Sequence, residues 1–132
     1  EKDAKAAIQL QQIFYRMTKY FIENFNTANF LTEALYHSKA ASYFTNYRVQ
    51  HFIFVRTLIE QAQREGDICS DMNSYEIYTT LQSILIQPII IKNNILQQHK
   101  NEPLMDKLKL IDVSSESSLQ KRLRVAFKGL RP

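Results

Sequence analysis

Apolar residues recur at intervals of three and four along most of this chain, the spacing of one face of an α-helix. Leu10, Ile13, Phe14, Met17, Phe21 and Phe25 form the first such stripe, on a helix expected from about Asp3 to Asn24. A polar break follows, and Thr27 is placed to cap a short helix through Tyr36 that carries Phe30, Leu31, Ala34 and Leu35. After His37 to Ser42, where Ser38 or Ser42 is available as a cap, a long helix is expected to run to Glu65. It carries Phe44, Tyr47, His51, Val55, Leu58 and Ala62 on one side, while Tyr43, Phe52, Phe54 and Ile59 widen the apolar surface. So broad a surface predicts burial on more than one side.

The stretch from Leu58 to Leu85 holds the sharpest local signals. Gly66 follows Arg64 and Glu65 where a left-handed residue would stop the helix, and glycine has no Cβ to clash there. Ile68, just past the stop, is placed to fold back on the last turn. Asn73 and Glu76 have the spacing of a capping box, in which each side chain satisfies a backbone N–H at a helix start. Ile77, Leu81, Ile84 and Leu85 then resume the helical pattern, and a helix from Ser74 is expected to continue to about Gln98. Pro88 lies inside it. Proline removes one hydrogen bond and crowds the carbonyl four residues back, so a kink is predicted near Ile84 to Pro88, with Ile91, Ile95 and Leu96 continuing the pattern beyond.

His99 to Pro103 reads as a polar connection, with Pro103 in the first turn of a short helix through about Leu110. Asp112 to Ser118 is a serine-rich turn in which Ser114, Ser115 or Ser117 caps a last helix. That helix carries Leu119, Leu123, Ala126 and Phe127 on one face, Lys121, Arg124 and Lys128 on the other, and is expected to end at Gly129.

Composition agrees with an all-α fold. Among 132 residues there are two glycines and three prolines, too few for the turns of an all-β domain. The length suits one domain with a real core, expected to be a bundle of five to six helices. One cysteine, Cys69, excludes an internal disulfide and suits a reducing cytoplasm. No apolar run reaches the length of a membrane span, and no signal peptide opens the chain. The chain begins at Glu1 without a methionine, as expected of a fragment.

The run Leu58, Ile59, Ala62, Glu65, Gly66, Ile68, with Asp71 and Asn73 in the turn after it, resembles the ligand-binding half of TetR-family transcriptional regulators. The tail from Leu123 to Pro132 is similar to that family's C-terminal end. The likeness follows helix order over most of the chain, but is motif-like only from about Phe52 to Leu85. The family's N-terminal helix-turn-helix module has no counterpart in this sequence. The resemblance implies a single effector-binding and dimerisation domain over residues 1–132, a helical cavity for a small, mostly apolar effector, a four-helix dimer interface, and operator binding only through the missing module. A bacterial, cytoplasmic protein follows from the same resemblance.

Residues for both functions can be named. Phe14, Met17 and Phe21 on the first helix and Tyr43, Tyr47, His51 and Phe54 on the long one, with Tyr78 from the next, are candidates for a mostly apolar ligand wall with a few polar groups. Ordinary core packing is the competing reading of each. Between Ile84 and Ile91 the chain is apolar nearly all round, so one face is expected to seek a second copy. The candidate homodimer residues are Ile84, Gln87, Pro88, Ile91 and Ile95, with Leu123, Phe127 and Leu130 from the last helix. A helical module that docks a partner protein without any ligand is the alternative from another class.

Chemistry beyond binding finds no support in the sequence. His37, His51 and His99 are scattered, no Cys or His pair has metal-ligand spacing, and no phosphate loop, dinucleotide motif or serine elbow is present. Neither a cofactor nor a catalytic function is expected. The net charge of +4 is only mildly basic. Lys121, Arg122, Arg124, Lys128 and Arg131 read as the wet face of the last helix rather than a nucleic-acid stripe, because interleaved aromatics are missing.

Overall fold

In the computed structural model, residues 4–23, 38–99 and 101–132 are described, and the side chains of residues 38–48 lie outside that description. Six helices and no strand are present among the described residues: α1 (Ala6–Glu23), α2 (Ser38–Arg64), α3 (Ser74–Leu85), α4 (Gln87–Gln98), α5 (Leu104–Leu110) and α6 (Glu116–Gly129). The helix expected between Thr27 and Tyr36 falls outside the described residues.

Helices α1, α2, α3 and α6 share one core. Leu10 and Phe14 of α1, Val55, Ile59 and Ala62 of α2, and Ile77, Leu81 and Leu85 of α3 are all completely buried. Leu119, Leu123, Ala126, Phe127 and Leu130 complete it from α6 and its end. Full burial of each large side chain contributes about 1.5–3 kcal/mol before entropy is counted. Thr18, also buried, donates its hydroxyl to the Phe14 carbonyl at 2.8 Å, so the polar atom stays within its own helix.

The local stops and starts act as expected. Gly66 has φ +81°, and Asp67 N–H donates to the Ala62 carbonyl (3.0 Å) while Gly66 N–H donates to Gln63 (3.1 Å). These two bonds define a Schellman C-terminus. Ile68 folds back into the core and is 2% exposed. Gln63 secures the following turn, its side-chain amide donating to the carbonyls of Cys69 and Met72. Cys69 N–H donates to the Leu130 carbonyl at 2.7 Å, tying the turn to the end of α6, and burial pushes its thiol pKa up. Asn73 and Glu76 form the full capping box. Ser115 caps α6, and its hydroxyl also donates to Asp112, whose carboxyl the bonds from Ser115 and Ser114 hold below the usual carboxylate range. Gly129 is the last residue of α6, without the left-handed conformation seen at Gly66.

Two expectations about long helices are corrected. The segment from Ser74 to Gln98 is not one kinked helix: α3 stops at Leu85, Ile86 alone intervenes, and Pro88 stands in the first turn of α4. Proline offers no N–H to the Ile84 carbonyl, and the Ile89 N–H turns to Ile86 instead of Leu85. Nor is α2 covered all round, because Val49, Ile53 and Phe54 are 48%, 53% and 65% exposed.

Among the described residues, α4 and α5 make substantial contact beyond each other only where α4 leaves α3, with Ile90 packed against the four-helix core. Ile89 and Met105 are buried outside the main cluster, while Ile91, Ile95, Leu104, Leu110 and Ile111 are exposed. Lys92 ties the pair by donating to the carbonyls of Lys109 and Ile111.

Candidate functional site

The aromatic wall expected from the sequence is assembled in part. Phe14 and Tyr78 are buried and meet edge to face, with ring centres 6.1 Å apart. His51 lies 5.6 Å from the Tyr78 ring and is half-buried. Phe52 joins them edge-on to Tyr78 at 5.3 Å and to Tyr75 at 5.8 Å. Such tilted contacts match the negative face of one ring to the positive edge of the next. Met17 and Phe21 pack, partly buried, against the same core. Phe54 does not join. A helix that turns 100° per residue and points Val55 inward carries Phe54 away from the wall. The side chains of Tyr43 and Tyr47 lie outside the described residues.

A polar thread runs through the rings. Gln82 donates its amide to the Tyr78 hydroxyl at 3.0 Å, and that hydroxyl lies 2.6 Å from Nδ1 of His51. Burial lowers the His51 pKa, which favours the neutral imidazole. A neutral ring accepting from Tyr78 at Nδ1 carries its own proton on Nε2. The arrangement offers a donor at the edge of an apolar wall, suited to orienting an uncharged polar group. Gln82 and Phe52 were absent from the expected wall. Gln82 was legible, because it stands four residues after Tyr78 and so on the same helix face. Phe52 was not, because its side of α2 is set by packing against α3.

The second candidate surface divides. Ile91 and Ile95 are 52% and 37% exposed and Ile84, Gln87 and Pro88 are partly covered, so this helix does present apolar surface to solvent. Leu123, Phe127 and Leu130 do not: at 8%, 8% and 3% exposure they belong to the chain's own core. The α6 face expected inside a dimer packs instead on α1 and α3, in the same cluster as Leu10, Phe14 and Leu85.

Arg122 also leaves the wet face assigned to it. Its Nη1 donates to the Ser118 hydroxyl at 2.7 Å and its Nη2 to the Leu85 carbonyl at 3.1 Å, while Nε is buried without a partner among the described residues. The guanidinium thus supplies the donor that Leu85 loses where α3 gives way to α4. On the same side of the bundle, Glu116 accepts from Tyr15 at 2.7 Å and pairs with Lys19 at 3.7 Å, joining α6 to α1.

Among the described residues, no group of three or more His, Cys, Asp or Glu side chains is placed to hold a metal ion, and no helix is long and apolar enough to cross a membrane. No protein-family model, curated protein or solved structure matches the chain.

Proposed function

We propose that this chain is the effector-sensing and dimerisation domain of a TetR-like transcriptional regulator, acting on DNA through a helix-turn-helix module outside this sequence. The reading rests on the likeness of residues 58–85 to that family. The observation that carries it furthest is the Gln82–Tyr78–His51 thread set among Phe14 and Phe52, where a few polar atoms interrupt an apolar wall. A small, mostly apolar effector with one polar group would bind there. It would bias the pose of two subunits only by binding the two poses unequally.

The homodimer contact belongs on the exposed face of α4 rather than on α6, whose apolar face is already covered. Two copies meeting there would bury Ile91 and Ile95, with Leu104 and Leu110 of α5 and Ile111 just past its end available to enlarge the seam. A module that docks another protein through this same face, with no effector, is the second reading. The exposed isoleucines of α4 favour it as much as they favour a second copy.

Sedimentation tests the proposal. The chain is expected to run as a dimer at micromolar concentration, and the Ile91→Glu/Ile95→Glu variant as a monomer with unchanged helix content. A wild-type chain that stays monomeric would remove the dimer and turn the reading toward partner docking.

A further inference from the structure

The outer face of α6 carries charge of one sign. Lys121, Arg124 and Lys128 are exposed on the side opposite the buried Leu119, Leu123 and Phe127, at the spacing that places them on one helix face. A rise of about 1.5 Å per residue gives them a span of about 10 Å. Arg131 continues the row past the helix end, its N–H donating to the Lys128 carbonyl at 3.3 Å. From Ser117 to Pro132 the sequence holds no carboxylate side chain. At one end of the row Glu116 accepts from Tyr15 and pairs with Lys19. At the other, Asp67 lines an open groove with Arg131 without forming an ion pair. Two other exposed cations show the contrast, Arg56 being matched by Glu60 and Lys109 by Asp106. Among the described residues none of the four cations of the row is matched.

We infer that this face of α6 lies along the phosphate backbone of duplex DNA and holds it without reading its sequence. Each strand presents a phosphate about every 3.4 Å, so a row from Lys121 to Arg131 meets about four of them. Such contacts position a protein on DNA and carry no sequence information. Other polyanions fit less well. A single strand is held by stacking its bases on aromatic rings, and the one ring of α6, Phe127, is buried. The missing aromatics do not bear on a duplex, whose phosphates need only cations. A lipid surface takes a helix with a broad apolar face, and Val125, 61% exposed, is the one large apolar side chain that α6 turns outward. The contact shares no residue with the Tyr78 wall or the exposed face of α4, so it stands or falls apart from the effector and the dimer proposed above.

The test is fluorescence anisotropy of a short labelled duplex of arbitrary sequence, titrated with the whole chain at several salt concentrations. Affinity is expected to fall about a hundredfold between about 50 and 200 mM salt, the response to four neutralised phosphates, and a second duplex of unrelated sequence should behave alike. Lys121→Gln/Lys128→Gln should reduce that fall to about tenfold, because two contacts are lost. Arg16→Gln/Lys107→Gln removes the same charge from exposed positions off the row and should leave the salt response unchanged. All four substituted side chains are exposed, so circular dichroism is expected to show native helix content in both variants. The inference is overturned if the duplex does not bind at the lowest salt or if the two double variants weaken it equally. It is overturned too if the duplex binds no better than the matching single strand, or no better than vesicles of phosphatidylcholine with phosphatidylserine.

Discussion

The four-helix core and the α4–α5 arm are both made of short amphipathic helices, yet they solve burial differently. In the core, α1 and α3 pack on each other and on both α2 and α6, and Leu10, Val55, Ile59, Ile77 and Leu81 reach zero exposure. The arm buries Ile89 and Met105 and leaves five large aliphatic side chains at the surface. A shortage of apolar residues does not explain the contrast, because the arm is richer in isoleucine and leucine than the core helices. The number of neighbours does. A helix pair joined to the rest at one end has a single inner face to cover, and its remaining apolar surface waits for another molecule or stays wet.

The largest effect that would sharpen this comparison is expected at Leu81. Leu81→Ala should destabilise the chain by about 2–5 kcal/mol in urea unfolding, because the site is enclosed on all sides and cannot collapse. Next is Arg122→Met. Removing the guanidinium strands the Leu85 carbonyl, at a cost of about 1–3 kcal/mol, and also removes the unpartnered Nε. Hydrogen exchange should show the loss as faster exchange at residues 86–98, with α1 and α2 unchanged. Equal acceleration throughout the molecule would mean that the arm is not a separate unit. The smallest effect is expected at Leu110, 86% exposed, where Leu110→Ser should change stability by less than about 0.5 kcal/mol. A loss of several kcal/mol there would break the comparison.

Acid gives a further way to separate the two regions, because His51 belongs to the core. Burial sets its folded pKa below its unfolded value of about 6.5. Above that value both states are neutral and nothing is lost. As pH falls below it the unfolded chain takes up the proton first, so stability declines until the folded pKa is passed. His51→Gln should flatten this part of a stability–pH curve measured by urea unfolding. A curve unchanged by the substitution would show that the ring is not held neutral.

Short-range chemistry was the most legible in the sequence. The Gly66 stop, the Asn73–Glu76 box and a serine cap on the last helix each depend on a few adjacent residues, and all three form, Ser115 being the one of the three candidate serines that caps. The all-α class followed from apolar spacing. The break at Ile86 was harder to read, because Pro88 permits either a bent helix or a fresh start. A distant arginine that can hold the Leu85 carbonyl favours the second. Which faces stay uncovered was legible only in part: Ile91 and Ile95 are exposed as their apolar run suggested, whereas Leu123 and Phe127 are not. Leu123 and Phe127 carry the same helical pattern as Ile91 and Ile95, and only the positions of α1 and α3 decide that the first pair is covered and the second is not. Half of the candidate wall was readable for the same reason. Phe14 and Tyr78 follow their helices' core faces, whereas the outward turn of Phe54 depends on which stripe of α2 meets α3.

The Arg122 contact ties the α3–α4 junction to the last helix across the sequence. Two donors on one rigid plane hold Ser118 and Leu85 together, so α6 cannot slide without pulling on the joint, and the joint cannot straighten without releasing α6. Strain at the junction is therefore shared with α6 through this one long-range bond as well as through the packed faces of α3 and α6.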